Sequence, residues 1–527
     1  MGVTVAGQTI VVFAGNVFTL VAGLPFQIYV ARALGVNQLG LFGLVEAAVV
    51  TLSGFVSFGI AQTAVRFIPE YLAKGEHGHI RKLALLATLA LTATGVALAS
   101  CIVLLSAPVM AWFGIAPADA KLVNVMAITA PIGLLTFLYQ QILRGFQEIV
   151  IMIAGTSFVA LMVKIVLAII FFQAGWGVRG YAWAVVGGGA AALAFMIAGA
   201  MRLISRLDRP AAAASVPLGH WARYASISYA TGQTSNIVMH LDRFILGATI
   251  GPEAVATLMV VRQLQQLPTT FHQMFLAVVA PMFAGANGTD AAARRQTLYH
   301  LTTDWVMRLA LPLILFLAVF GGSLLHLYGA EFRVNGTPLL LLCLVAVSIT
   351  IASGPAGSLM SMSGLEAPLL RISVLGSALL VTLYALAIPL AGLLGVGVSL
   401  IASTLFVNLS AFTVMRRRLA LRWWSARYAT WPLSGGLTLA ALLSLRPALG
   451  WESDVPVISL GVSLAAAYGS FLAGNLLQGM SDDDRAVFDA LITKLGLTSK
   501  LCAVSGRTLP AKTARTRRDP HYPCKLE

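Results

Sequence analysis

An apolar run long enough to cross a bilayer leaves a chain few folds, because every backbone amide within it must find its partner inside the segment. About 20 such residues cover the ~30 Å hydrocarbon core. This sequence carries runs of that kind from end to end: 7–31, 41–66, 83–106, 122–142, 149–172, 181–201, 222–249, 254–281, 303–327, 338–361, 367–390, 395–415, 428–445 and 456–477. The expected fold class is an all-α polytopic membrane protein with about 14 transmembrane helices. Charged residues are 10% of the chain, against about 25% in soluble domains. Residues 1 to 6 place no basic region ahead of the first run, so no cleavable leader is expected. Cys101, Cys343, Cys502 and Cys524 show no CxxC spacing, so no disulfide framework or metal site is expected.

The net charge of +15 would suggest nucleic acid in a soluble protein. Here topology explains it. With the N-terminus in the cytoplasm, 26 of the 35 Lys and Arg fall on the inner side and 5 on the outer, the rest lying within runs. That bias is the positive-inside pattern of a cell inner membrane protein with both termini cytoplasmic. No outer loop exceeds about 15 residues. The chain divides into an N-terminal half (1–205), a cytoplasmic linker (206–221), a C-terminal half (222–415), a further helix pair (428–477) and a basic tail (481–527). The linker run LDRPAAAASVPLG has the Pro and small residues of a flexible connection. Since the seventh run starts again at the inner face, the halves share one orientation, as parallel repeats do. Ser481 is positioned to cap a short acidic-first helix. The rest of the tail is read either as a solvated positive segment or as a ligand for acidic headgroups.

The stretch LPFQIYVARALGVNQLGLFGLVEAAVVTLSGFVSFGIAQTAVRFIPEYLAKGE predicts a helix end, a polar turn over Gly35 to Gly40, and a long second helix stopping at Pro69. A shift of 216 residues pairs Gly35 with Gly251, Glu46 with Arg262, Val50 with Gln266, Ser53 with Thr269 and Ser57 with Gln273. Polar residues within apolar runs are costly, at least ~2.5–3.5 kcal/mol for a central charge, so their placement is informative. Ser226, Tyr229, Gln233, Asn236, His240 and Arg243 recur at steps of three and four, on one helix face. Arg262, Gln266, Thr269 and Gln273 do the same in the eighth run, and Asn16, Thr19, Gly23 and Gln27 in the first. These faces either line a shared central cavity or form a packing seam held by hydrogen bonds.

Glu46 and Arg262 lie on the order of 10 Å from the outer surface, and either bridge the halves or pair within their own. Asp242 is a candidate ion- or proton-linked carboxylate, or a local partner of Arg243. Lys164 stands alone in the fifth run with no neighbouring acid, and adds positive charge to the cavity, or else snorkels or pairs structurally; Arg308 reads as an interfacial anchor. The cations Arg32, Arg66, Lys164, Arg243 and Arg262 outnumber the acids Glu46 and Asp242. Arg suits phosphate with paired donors, and Gln, Asn, Ser and Tyr suit sugar hydroxyls. No nucleotide-binding loop, HExxH or GxSxG occurs, so no enzyme is expected.

The runs ARALGVNQLGLFGLVEAAV and FGIAQTAVRFIPEYLAKGE, with LDRFILGATIGPEAVATLMVV and VVAPMF, resemble the polysaccharide (O-antigen type) flippases of the multidrug/oligosaccharidyl-lipid/polysaccharide (MOP) exporter superfamily. The resemblance covers most of the first twelve runs. It implies two six-helix lobes related by a pseudo-two-fold axis plus two extra C-terminal helices, a V-shaped cavity lined by helices 1, 2, 7 and 8, and alternating access. It implies flipping of a polyprenyl-diphosphate-linked oligosaccharide to the outer leaflet, with cationic cavity roles carried over to Arg243 and Arg262, and to Lys164 and Arg32. The substrate-cavity set is then Asn16, Gln27, Arg32, Glu46, Ser53, Ser57, Lys164, Gln233, Asn236, His240, Asp242, Arg243, Arg262, Gln266 and Gln273. No cofactor is implied, and coupling to H+ or Na+ is left open. Expected partners are the lipid-linked glycan, the bilayer and other glycan-assembly membrane proteins, with no nucleic acid and the chain acting as a monomer. The alternatives are a lipid-linked peptidoglycan precursor flippase, a multidrug/cation antiporter of the same superfamily, and a non-transporting membrane scaffold of a glycan-synthesis complex.

Overall fold

The computed structural model describes the backbone of residues 2–112, 120–208, 218–285, 291–448 and 457–478, and the regular structure among them is helical. The first helix, α1 (Gly2–Val56), bends at Gly35, where φ 71° and ψ 172° leave helical space. A left-handed backbone strains any residue with a Cβ. The expected polar turn over Gly35–Gly40 shrinks to that one glycine, for residues 36–40 are already helical. Gly251 (φ 117°) is likewise in the left-handed half of the map at the equivalent bend of the second half.

The expected second span does not run unbroken. It interrupts at residues 57–59, with Phe58 at φ 44° and Gly59 at φ 67°, and resumes as α2 (Ile60–Lys74). Nor does the helix end at Pro69. A proline removes only one bond, to the carbonyl four residues back. The true stop is Gly75, left-handed at φ 71°, whose N–H returns to Leu72 while that of Glu76 returns to Tyr71.

The remaining elements follow as α3 (His77–Trp112), α4 (Ala120–Ala127), α5 (Thr129–Gly145), α6 (Ile149–Ile153), a π-helical turn at Ala154–Val159, α7 (Ala160–Gln173) and α8 (Gly177–Ser205). After the linker come α9 (Leu218–Thr249), α10 (Pro252–Ala284), α11 (Ala291–Tyr328), α12 (Ala330–Ala352), α13 (Ala356–Met362), α14 (Glu366–Ala391) and α15 (Leu393–Leu419). A 3-10 turn at Ala426–Ala429 leads to α16 (Thr430–Ala448), and α17 (Val457–Leu477) closes the series.

Among the described residues, 10 helical stretches are long and apolar enough to cross a membrane. One of them, Ala14–Val56, holds most of the first expected span and most of the second. The runs expected as spans 7, 8 and 13 are helical as α9, α10 and α16 but are not among the ten. The chain is a multi-pass membrane protein.

Residues Met1–Phe471 form one compact unit and Leu472–Glu527 a second, of which 472–478 are described. The basic tail at 481–527 lies outside the described residues. In the first unit α7 lies along α8, α14 along α15, α11 along α12, and α5 packs on α2, α3 and α8. The principal contacts between α1–α8 and α9–α16 are made by α1 and α2, against α9, α10 and α11. Fully buried Val30 and Ala31 on α1 and Val255, Leu258 and Val261 on α10 belong to one apolar cluster that spans both halves.

Candidate functional site

Near the Gly35 bend, α1 and α10 approach so closely that a Cβ on Gly40 would run into the carbonyl of Pro252. Gly43 against Met259, and Gly247 against Leu44, repeat this tight fit further along. The close approach brings polar groups from both halves into one cluster, roughly three helical turns from the bend.

Glu46 on α1 faces Arg243 on α9, with carboxylate and guanidinium 3.6 Å apart and the two side chains 37% and 17% exposed. Asp242, next to Arg243, is 1% exposed. One of its oxygens accepts the Arg243 backbone N–H at 2.8 Å, and the other is bound by the Arg262 guanidinium from α10. Arg262 also donates to the buried Tyr384 hydroxyl on α14 at 3.4 Å. Lys164 on α7 places its ammonium 5.6 Å from the centre of the Phe26 ring, within electrostatic reach of Glu46. Gln27 lies near the Tyr181 hydroxyl on α8, and that ring packs on Phe42 at 4.7 Å.

The bridge between the halves therefore exists, but with a different partner from the one expected. Glu46 pairs with Arg243, and Arg262 pairs inside its own half with Asp242. The shift of 216 residues identifies equivalent positions, and equivalence under a two-fold axis does not make two residues neighbours. Asp242 is held by Arg262 and a backbone amide, not by the Arg243 side chain. Lys164 has an acid in its neighbourhood, since Glu46 is within electrostatic reach, although the ion pair that Glu46 makes is with Arg243. Arg308 pairs at 2.9 Å with Asp304, which is 1% exposed and also accepts from Trp431 Nε1 at 2.9 Å.

Three cations, Lys164, Arg243 and Arg262, thus stand against two carboxylates at the junction. His240, one turn before Arg243, keeps a buried Nδ1 with no hydrogen-bond partner among the described residues, as does Arg262 Nε. Such orphaned groups are rare in folded proteins and are costly unless water or a ligand serves them. The arrangement has the charge and, at Arg262 Nε, a spare donor with which an anion could be held.

The other expected residues are spread more widely. Arg32 donates to the Leu327 carbonyl at 2.7 Å, tying α1 to the end of α11. Ser57 lies in the break after α1 and donates to its own segment at Gly54. Ser53 is half-buried, while Asn16, Gln266 and Gln273 are exposed. The side chains of Gln233 and Asn236 lie outside the described residues. Tyr181, Tyr384 and Phe26 belong to the cluster and were not expected; a tyrosine within an apolar run was the available signal for the first two.

At the opposite end of α9 the polar stripe acts as a seam. Tyr229 donates to the Phe55 carbonyl at 2.9 Å, and Trp221 Nε1 donates to the Tyr71 hydroxyl at 2.8 Å, buried. Phe67 packs against His220 and Tyr224, and Phe58 against Tyr229. The halves are thus in contact toward both ends of α9.

No curated protein matches the chain. Solved structures do. Lipid II flippase MurJ in an inward closed conformation is 10% identical, covers 89% of this chain and 98% of its own, and superposes with a TM-score of 0.69. A multidrug resistance MATE family transporter of the MOP superfamily, inward-facing, is 16% identical over 76% of this chain and 94% of its own, at 0.63. A MOP superfamily transporter from Pyrococcus furiosus is 15% identical over 78% and 94%, at 0.54. At these identities the likeness establishes the fold, which is that of the MOP superfamily, and these neighbours are transporters and flippases, not enzymes. The family described as polysaccharide biosynthesis protein matches residues 5–286, more than half of the sequence. The chain belongs to the polysaccharide biosynthesis protein family.

Proposed function

We propose that the protein is a flippase that carries a polyprenyl-diphosphate-linked oligosaccharide from the inner to the outer leaflet of the cell inner membrane. The observation that carries this reading is the cationic junction. Lys164, Arg243 and Arg262 meet where α1 contacts α9 and α10, and Arg262 Nε has no partner among the described residues. Arginine matches a diphosphate with paired, charge-assisted donors. The N-terminal lobe (1–205) and C-terminal lobe (222–415) rock about this junction, and the charge asymmetry supports placing both termini in the cytoplasm.

Binding then has a stated consequence. A diphosphate recruiting Arg243 takes it from Glu46 and so weakens the bridge between the halves. Substrate binding and reopening are coupled because one guanidinium serves both, and a ligand shifts a two-state equilibrium only through such differential contacts. A cation antiporter fits less well, since both junction carboxylates are already engaged by arginines.

The test is leaflet exposure of a fluorescent polyprenyl-diphosphate oligosaccharide in vesicles with and without the purified protein. Arg243→Gln should slow flipping at least tenfold with the protein still folded; Arg262→Gln should slow it as much, at a cost in stability because Asp242 is left unpaired, and Arg262→Lys, which keeps the charge, should restore stability ahead of flipping. Unchanged flipping or export in both Gln variants overturns this reading and favours a non-transporting scaffold. Flipping of a lipid-linked peptidoglycan precursor, with none of the oligosaccharide, reassigns the substrate.

A further inference from the structure

The connection from α15 to α16 has chemistry that the transport reading does not use. α15 ends in three consecutive arginines, Arg416, Arg417 and Arg418, all exposed. The chain then passes through Ala420 in the left-handed region (φ 52°), buries Leu421, and exposes Arg422, Trp423 and Trp424. None of these four arginines has a carboxylate within ion-pair distance among the described residues. The two indoles are 54% and 56% exposed.

Basic residues flanking a membrane helix are ordinary. What is unusual is that this loop is held in place. The Gln296 amide of α11 donates to the Arg422 carbonyl at 2.7 Å and accepts the Arg422 N–H at 2.9 Å, so both backbone groups at the loop's midpoint are fixed by one side chain. A non-glycine residue at positive φ persists only where its surroundings hold it. The aromatic rings form a continuous chain: Phe412 to Trp423 at 6.1 Å, Trp423 to Trp424 at 5.7 Å, Trp424 to Tyr428 at 5.9 Å, and Tyr428 to Trp431 at 4.2 Å. Ser425 accepts the Arg427 N–H at 3.4 Å and turns the chain into the 3-10 segment.

The loop therefore presents four guanidinium groups, unpaired among the described residues, and two indoles on a backbone that is already held in place. Indole rings favour the headgroup level, where an apolar body meets water. Clustered arginines beside a membrane helix recruit anionic headgroups, each basic residue enriching them by about fivefold. We propose that residues 416–424 form a preformed platform that binds anionic phospholipid headgroups of the leaflet it meets. Charge selects the headgroup, the two indoles set the depth, and Gln296 holds them in register. The inference does not depend on what the protein transports.

The test uses the full-length protein in vesicles whose phosphatidylglycerol or phosphatidylcholine carries brominated acyl chains, which quench nearby tryptophan. Brominated phosphatidylglycerol should quench more than brominated phosphatidylcholine, and raised salt should reduce the difference. The excess should vanish in Trp423→Phe/Trp424→Phe. It should fall severalfold when Arg416, Arg417, Arg418 and Arg422 are all replaced by Gln, persist when they are replaced by Lys, and weaken in Gln296→Ala. An excess that survives both the tryptophan and the glutamine replacements overturns the proposal. So does an excess abolished by neutralising Lys512, Arg515, Arg517 and Arg518 of the tail, or one lost equally in the Lys and Gln versions. Retained thermal unfolding separates each result from misfolding.

Discussion

Glu46 and Asp242 are both acids facing arginine, yet they do different work. Asp242 is 1% exposed and takes up Arg262 and a backbone amide together, so removing it leaves a largely buried guanidinium unpaired. Breaking a buried pair costs about 3–5 kcal/mol. Asp242→Ala should therefore lower stability by that order, read by thermal or denaturant unfolding of the purified protein. The Glu46–Arg243 contact is longer and Glu46 is 37% exposed; a pair of that kind contributes about 0–1 kcal/mol. Glu46→Gln should leave unfolding nearly unchanged and alter transport instead. The exchange Glu46→Arg with Arg243→Glu should recover part of the flipping lost in each single variant. If the recovery instead comes with Arg262→Glu, the pairing described above is wrong.

At the level of elements, the two hairpins match in their bends and differ in their second helices. Gly35 and Gly251 both use positive φ to turn the chain. α10 then runs unbroken to Ala284, whereas its counterpart breaks at residues 57–59. Gly59 is there for two reasons: φ 67° disfavours a side chain, and a Cβ would meet the Ala225 carbonyl of α9. Gly59→Ala should cost more than the ~1–2 kcal/mol of the left-handed backbone alone, because the clash adds to it. It should also part α2 from α9. The reporter is Ala225→Cys, buried in the parent, which should react severalfold faster with a soluble maleimide once Gly59→Ala is added. Equal rates would mean that the contact is not a closure.

At the scale of the molecule, the principal contacts joining the two halves pass through α1 and α2, so relative motion need disturb few surfaces. The proposed rocking of the lobes parts the end that holds Gly43 and Met259. A Gly43→Cys/Met259→Cys disulfide should abolish flipping under oxidation, and reductant should restore it. Full activity of the cross-linked protein would show that this end stays closed throughout the cycle.

Hydrophobic run length made the all-helical membrane fold legible from the sequence, because lipid leaves the backbone no other solution among short-looped chains. The polar faces of α9 and α10 were legible for a related reason: helical spacing is local, and it assigned His240, Arg243 and Arg262 to faces before any packing was known. Local rules also misled. Pro69 resembled a stop, but the cap at Gly75 set the end, and a polar stretch at 36–40 resembled a turn, but one glycine sufficed. Which charge meets which was beyond the sequence altogether. Repeat arithmetic aligned Glu46 with Arg262, and only the packing of α1 against α9 and α10 decided that Glu46 faces Arg243, that Asp242 takes Arg262, and that Tyr384 joins from a helix 122 residues away. Spacing along a chain fixes the face of a helix, whereas contacts across a junction depend on the rotation and depth of two helices at once, and these are set by the side chains of both.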